Sequence, residues 1–459
     1  MLEDVDFLQD YIHKYFFQLA LLEQRTGINI DEEFNQLKQK INSTTSTAEF
    51  AQIIRQGLDM LNDAGHTRIV PKQQVEEYLH SLNYLLPIAN ISLSDTTNAM
   101  FYYSLITDSL QSRMKTGIRT KYMNGEYFNA RPFTYNDILI NSGEKITAIN
   151  GIPINKFIND HLFEMYDLRW EPIDKKWYSL LFTKALPLLG MEQYTLTIGD
   201  KDVKLDCSKT VDNLQREHRQ STYTPKVLLI DNDILYIRMP MMYYGDWYIN
   251  ELLQAYTPEV KKIIIDVRDN FGGNDGVWID LLKKIIDEPI TYNYRVGMNH
   301  NDGLENILLS SFKDLKKDRK KDRTEIFTET TLYPDSNSVH FKGKIYVFQN
   351  EFTYSAASAL SSVAWQNENL ILVGMPSAFI SGYTLPALMF KLPHSEIVFS
   401  LAFSADMTGG NENPYMDKVE VLIKENIDEF LDKTLNNDAY SEEYLVNKDP
   451  LVKYVKENH

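Results

Sequence analysis

Hydrophobic positions near the start of the chain recur at intervals of three and four. Phe7, Leu8, Tyr11, Ile12, Tyr15, Phe16 and Leu19 fall on one stripe, the signature of a helix with one buried face. A second helix is predicted over Ile30 to Ile41, with Asp31 as its cap and Phe34, Leu37 and Ile41 turned inward, and a third near Thr47 to Leu61. The third stops at Asn62-Asp63-Ala64-Gly65-His66-Thr67-Arg68, where Gly65 suits the left-handed position after a helix. His66 therefore falls on a loop, where a lone histidine is ordinarily a surface residue.

From about Ile91 the pattern shortens to strands and turns. Asn124-Gly125 between alternating residues predicts a hairpin. Short strands flank turns at Ser142-Gly143 and Asn150-Gly151, and a further hairpin closes around Gly199-Asp200. From about Lys226 strands alternate with helices: strands at Lys226 to Ile230, Ile234 to Met239 and Lys262 to Val267, with a helix near Trp247 to Tyr256 before the last. This order favours parallel pairing. A helix over Asp275 to Ile286, a strand at Ile290 to Arg295 and a charged excursion to about Asp335 follow. Later come strands at Leu370 to Gly374, Leu385 to Leu392, Glu396 to Ala405 and Lys418 to Ile423, then a helix over Glu425 to Leu435.

At 459 residues the chain exceeds the roughly 250–300 at which one core stops growing, so two or three domains are expected. The pattern divides them as a helical 1–88, a mostly β 89–215 and an α/β 216–459. A net charge of −17 argues against nucleic acid and against binding anionic membranes through a basic surface. The one basic run, Lys313 to Arg323, is interrupted by aspartates and reads as a solvated loop or helix face. The single cysteine, Cys207, excludes an intramolecular disulfide framework and a Cys-rich metal site. The acidic N-terminus lacks a secretory pattern and no 18-residue apolar run occurs, so a cytoplasmic protein or a trimmed mature chain is expected.

Two stretches carry candidate chemistry. Ile345 to Phe348 reads as a buried strand, small residues from Ser355 onward read as a helix, and a short turn joins them. Ser355 then sits at a helix N-terminus among unpaired N–H groups, a favourable place for a nucleophile and equally one for a simple helix cap. In Ile263 to Gly276 a mostly apolar strand runs into Asn270, Gly272 and Gly273 before a helix. Glycines there let backbone amides approach a ligand, as half of an oxyanion hole completed by the Ala356 amide, or they form only a tight turn. A phosphate site is disfavoured, because no Gly-Lys-Ser/Thr ending follows. The aromatic-rich Met241 to Tyr248 reads as a core-edge helix or a groove lining.

Taken together, Gly65-His66-Thr67, Ile265-Asp266-Val267-Arg268-Asp269-Asn270-Phe271-Gly272-Gly273 and Thr353-Tyr354-Ser355-Ala356-Ala357 resemble the serine peptidases of the C-terminal-processing and tricorn-core family. Between the first two, Ile138 to Asn155 resembles a PDZ core, with Glu144 where aspartate is usual. Leu372-Val373-Gly374-Met375-Pro376-Ser377 is similar to the family's Val-Gly-Glu-Pro-Thr, with Met375 replacing glutamate. Glu412, followed by Pro414 and Asp417, is similar to its closing region.

The resemblance implies an α/β fold with a ClpP/crotonase-like catalytic core, a PDZ-like mostly-β domain and an N-terminal helical domain. It implies Ser355 as nucleophile, Gly272 or Gly273 with Ala356 as the oxyanion amides, and no cofactor or metal. One branch of the family uses a lysine 25 residues after the serine, and that position here is Ile380. The tricorn-like branch uses a histidine from a Gly-His-Thr-like segment oriented by a late glutamate, places filled by His66 and Glu412, with Asp63 as a rival orienter. The implied substrate is a peptide or unfolded protein and the implied setting a cell envelope or periplasm. The alternative is a member that binds peptides without cutting them, with an acyl-CoA enzyme of the crotonase type behind it.

Overall fold

The computed structural model describes residues 1–61, 66–112, 117–213, 224–243, 245–378, 384–408, 419–435 and 440–458. Helices and several sheets form a mixed α/β molecule. Its frame is a six-stranded sheet whose strands follow chain order: Lys226–Ile230, Ile234–Arg238, Lys262–Asp266, Lys344–Gln349, Leu370–Gly374 and Val421–Leu422. The first pair is antiparallel and every later pair parallel.

Near-continuous apolar runs are what a parallel sheet covered on both faces requires, and successive residues divide between two cores. Ile263, Ile265, Val347 and Leu372 pack under the helices Gly245–Ala255, Gly276–Ile285 and Ala356–Trp365. Ile264, Tyr346, Phe348 and Val373 face the C-terminal helices Glu442–Asn447 and Pro450–Glu457. Loops leaving the carboxyl ends of adjacent parallel strands converge on one edge, the usual place for a site in such sheets. Asp266 and Gln349 end two such neighbours.

The predicted hairpins form. Asn124 and Gly125 (φ 52° and 82°), like Asn150 and Gly151 (50° and 76°), adopt the left-handed conformations a two-residue turn needs. They belong to an antiparallel sheet with Lys145–Ile149, Gln193–Ile198 and Lys201–Asp206. Four expectations need correction. The second helix, Ile30–Gln39, is capped by Asn29, whose side chain accepts the Glu32 N–H at 3.1 Å, rather than by Asp31. A helix at Thr96–Ser112 interrupts the stretch expected to be strands. The charged excursion contains the helix Asp302–Ser311 and a hairpin, with Lys316–Arg319 paired to Thr324–Leu332. Its basic run is thus in part an edge strand, where lysines oppose stray pairing. Finally, the segment from Glu396 to Ala405 splits between sheets: Val398–Leu401 pairs with Leu388–Lys391, and Ser404–Asp406 with Ile290–Met298. No described helix is long and apolar enough to cross a membrane.

Candidate active site

Two turns, one after each central strand, are laced together. The Asn350 side chain accepts the Asp269 N–H at 2.9 Å and donates to the Asp269 carboxylate at 2.8 Å. Thr353 Oγ1 donates to the Val267 carbonyl at 3.0 Å, and the Tyr354 N–H to the Asn270 carbonyl at 2.9 Å. The fully buried Asn270 is itself clamped by its own amide on Met239 O at 2.7 Å. Short polar side chains on turn backbone do this readily. The turns therefore hold Ser355 in a fixed place before the helix Ala356–Trp365.

Ser355 adopts φ 55° and ψ −124°, a region that costs a non-glycine residue about 1–3 kcal/mol and persists only where surroundings over-determine it. Its side chain makes no capping bond to the helix, so the simple cap reading fails. The hydroxyl is left for other work. Gly272 (φ 96°) lies against it: a Cβ there would stand 2.6 Å from Ser355 Cβ and 2.9 Å from the Ala356 nitrogen. At Gly273 (φ 139°) a Cβ would meet the Met242 carbonyl at 2.7 Å. Only glycine fits either position.

The two glycine amides are not equivalent. Gly272 N–H donates to Asn270 Oδ1 at 2.8 Å. Gly273 and Ala356 have no hydrogen-bond acceptor for their amides among the described residues. Ala356 opens its helix, where N–H groups are unpaired and the dipole is positive.

His66 arrives from 289 positions upstream, with Nε2 3.3 Å from Ser355 Oγ. The segment behind it is stitched down: Arg68–Ile69 pairs with Ser400 and Phe399, and Thr67 Oγ1 accepts the Ala402 N–H at 2.9 Å. Two hydroxyls face the other ring nitrogen, Tyr354 at 2.5 Å and Thr384 at 3.3 Å from Nδ1. Thr384 Oγ1 also lies 3.0 Å from Leu385 O. In the tautomer with hydrogen on Nδ1, both hydroxyl oxygens accept it and a bare Nε2 faces Ser355. The Tyr354 ring lies 4.8 Å from the imidazole, tilted by 34°.

Of the residues expected from sequence, His66, Ser355, Gly272, Gly273 and Ala356 come together here. Glu412, Asp63, Gly65 and Ile380 lie outside the described residues. Tyr354 and Thr384 were missed as neighbours of the imidazole, and for Thr384 no motif marks its segment. On the other flank Tyr243, which is 61% exposed, stands beside Gly273, while Met242 is buried. The aromatic-rich segment thus also reaches this edge.

Residues 233–398 match the family model described as Peptidase family S41. The chain carries a peptidase family S41 domain. This S41 domain contains Ser355 and both glycines, and His66 lies outside it. This match supports a serine peptidase acting on peptides or proteins. Over nearly the whole length the fold is similar to the crystal structure of mature CPAF, at TM-score 0.59 and 12% identity, covering 98% of each chain. Mature CPAF complexed with lactacystin gives TM-score 0.58 and 13% identity over 99% of this chain and 98% of that one. No curated protein sequence matches the chain. Among the described residues no group of three His, Cys, Asp or Glu side chains could hold a metal ion.

Proposed function

We propose that the chain is a serine endopeptidase or carboxyl-terminal peptidase with Ser355 as nucleophile and His66 as its base. The observation that carries this is the 3.3 Å approach of His66 Nε2 to Ser355 Oγ, within the looser range usual for an unliganded site. Ser355 Oγ attacks the peptide carbonyl carbon while His66 Nε2 takes its proton. The oxyanion is held by the Gly273 and Ala356 amides, with Gly272 as the glycine that lets them close on the serine. The C–N bond then breaks as His66 returns the proton to the leaving amine. Water, activated by the same imidazole, hydrolyses the acyl-enzyme.

This is the tricorn-like histidine branch, without a Ser-Lys dyad and without a cofactor. Tyr354 and Thr384 are the described groups that orient the ring, and Glu412 is the carboxylate proposed to complete the arrangement. The finer architecture belongs to the same reading: a helical 1–88, a PDZ-like 89–215 and a ClpP/crotonase-like 216–459. It is supported by the parallel sheet and by the antiparallel sheet around Asn150-Gly151.

A fluorophosphonate probe tests the mechanism. The expected result is covalent labelling of Ser355, abolished in Ser355→Ala and slowed by on the order of a thousandfold in His66→Ala. A folded chain that is never labelled, or labelling that survives Ser355→Ala, overturns it. Peptide binding without labelling or cleavage would favour the non-cutting alternative. Lactacystin, present in one CPAF structure, is a competitor to try against the label.

A further inference from the structure

A cleft of about 560 Å3, counting space open to solvent, is lined by residues of the helices Gly276–Ile285 and Ala356–Trp365 and of the hairpin of Ile290–Met298 with Thr324–Leu332. Asp275 at its edge is two residues beyond Gly273, and Ala359 on its wall donates its N–H to the Ser355 carbonyl at 3.0 Å. At 1.5 Å of rise per residue, Ala359 lies only about 6 Å along the helix from the nucleophile. The wall on that side is small, Ala359 and Ser362, then Val363; the opposite wall is Trp278 and Tyr292, whose rings meet edge to face at 5.9 Å.

The lining is mixed: aromatic and small apolar side chains are joined by Asn293, Thr328, Thr330 and Ser362, and the Thr330 side chain is hydrogen-bonded to Tyr292. The Asp275 carboxylate accepts the Trp278 indole N–H at 3.0 Å, which ties it to the rim. Burial, above all, pushes the Tyr292 phenol up to about 12, so it stays neutral. Small residues leave room on the helix side, and the aromatic edges offer contact to a flat or bulky group. Through Ala359 and Asp275 the opening lies within one helical turn of Ser355 and two residues of Gly273, close enough for the side chain adjoining a carbonyl held at those groups.

Resting on the serine-peptidase reading above, we infer that the cleft receives the side chain of the substrate residue on the acyl side of the cut bond, and that it selects a large apolar or aromatic one. The segment before the cut is thus a chain ending in a residue such as Phe or Leu, taken by burial rather than by charge.

The test uses the full chain, with active sites first counted by labelling with a small fluorophosphonate that has no bulky group. Peptides differing only at the acyl-side residue (Ala, Leu, Phe, Arg or Asp) are then compared by kcat/KM per labelled site. Phe and Leu are expected to exceed Ala by on the order of tenfold to a hundredfold, and Ser362→Leu or Ala359→Val, which fill the cleft, should erase that advantage. If a filled variant does not fold, the wild-type ranking decides alone. A preference for Arg, which would put Asp275 in control, or an equal rate for all five peptides overturns the assignment while leaving the labelled serine intact. Absence of labelling instead removes the peptidase reading itself, so the two failures are told apart.

Discussion

At the scale of single residues, the question is what makes a neutral imidazole accept the Ser355 proton rather than donate its own. Two hydroxyl oxygens stand at His66 Nδ1, Tyr354 at 2.5 Å and Thr384 at 3.3 Å, where each can accept a hydrogen carried by that nitrogen and leave Nε2 bare toward Ser355. Both are buried, so water competes poorly for the same nitrogen. We predict that Tyr354→Phe lowers kcat by on the order of tenfold to a hundredfold with little change in KM, since the phenol positions the base and does not bind substrate. Thr384→Val should act in the same direction and Thr384→Ser should restore the rate. Tyr354→Phe labelling Ser355 at the wild-type rate would show that the phenol does not orient the ring. Neither partner was legible beforehand, for different reasons. Tyr354 adjoins the serine in sequence, yet its orientation toward His66 depends on the strained turn; Thr384 reaches the ring only through the tertiary path of the chain.

Among the elements, the strand Lys262–Asp266 and the turn after it rest on a buried charge network. The Asp266 carboxylate, fully buried, accepts from Arg268 Nη2 and the Tyr236 hydroxyl, both at 2.6 Å, with Arg238 at 3.4 Å. Arg268 continues to Asp449 at 2.9 Å, the cap of the C-terminal helix Pro450–Glu457. Burial alone would raise the Asp266 pKa, but the two guanidinium groups and their hydrogen bonds outweigh it and hold the carboxyl below its ordinary 3.8. A depressed folded value means that its stabilising contribution is complete above about pH 4 and is lost as pH falls through the folded pKa. Denaturant unfolding followed from pH 7 to 3 should show stability level at the upper end and falling below about pH 4. Asp266→Ala, which takes from two buried arginines the carboxylate they share, should cost about 3–5 kcal/mol at pH 7. A variant as stable as the wild type would mean the network contributes nothing. Strands of this sheet were readable from their apolar runs, and the Asn-Gly hairpins from turn chemistry. The helix Thr96–Ser112 was not: Ala99, Tyr102 and Ile106 are buried while Met100 and Phe101 are exposed, so apolar residues face both ways and no single stripe appears. Lys316–Arg319, four charged residues in a row, becomes a strand only because Thr324–Leu332 pairs with it.

For the whole molecule, the proposed base and nucleophile lie 289 residues apart in the chain, so catalysis depends on how those segments dock. The first helix reaches the hairpin Leu388–Lys391 with Val398–Leu401: Tyr11 and Tyr15 pack on Phe390 at 4.7 and 5.0 Å, and the buried Asp4 carboxylate accepts the N–H groups of His394 and Ser395 at 2.9 and 2.8 Å. That hairpin pairs with Arg68–Ile69, two residues past the imidazole. A mechanical path therefore runs from the N-terminal helix through the hairpin to His66, with no step touching Ser355. Asp4→Ala leaves two N–H groups without their acceptor, a loss of about 1–3 kcal/mol for each that stays dry. We predict lower stability together with slower fluorophosphonate labelling of the fraction that remains folded, because the hairpin turn loosens and His66 loses its fixed distance. The measurement is the labelling rate per folded molecule, the folded fraction taken from circular dichroism in the same sample. If that rate equals the wild type's while stability falls, the N-terminal helix supports the fold but does not set the geometry of the base.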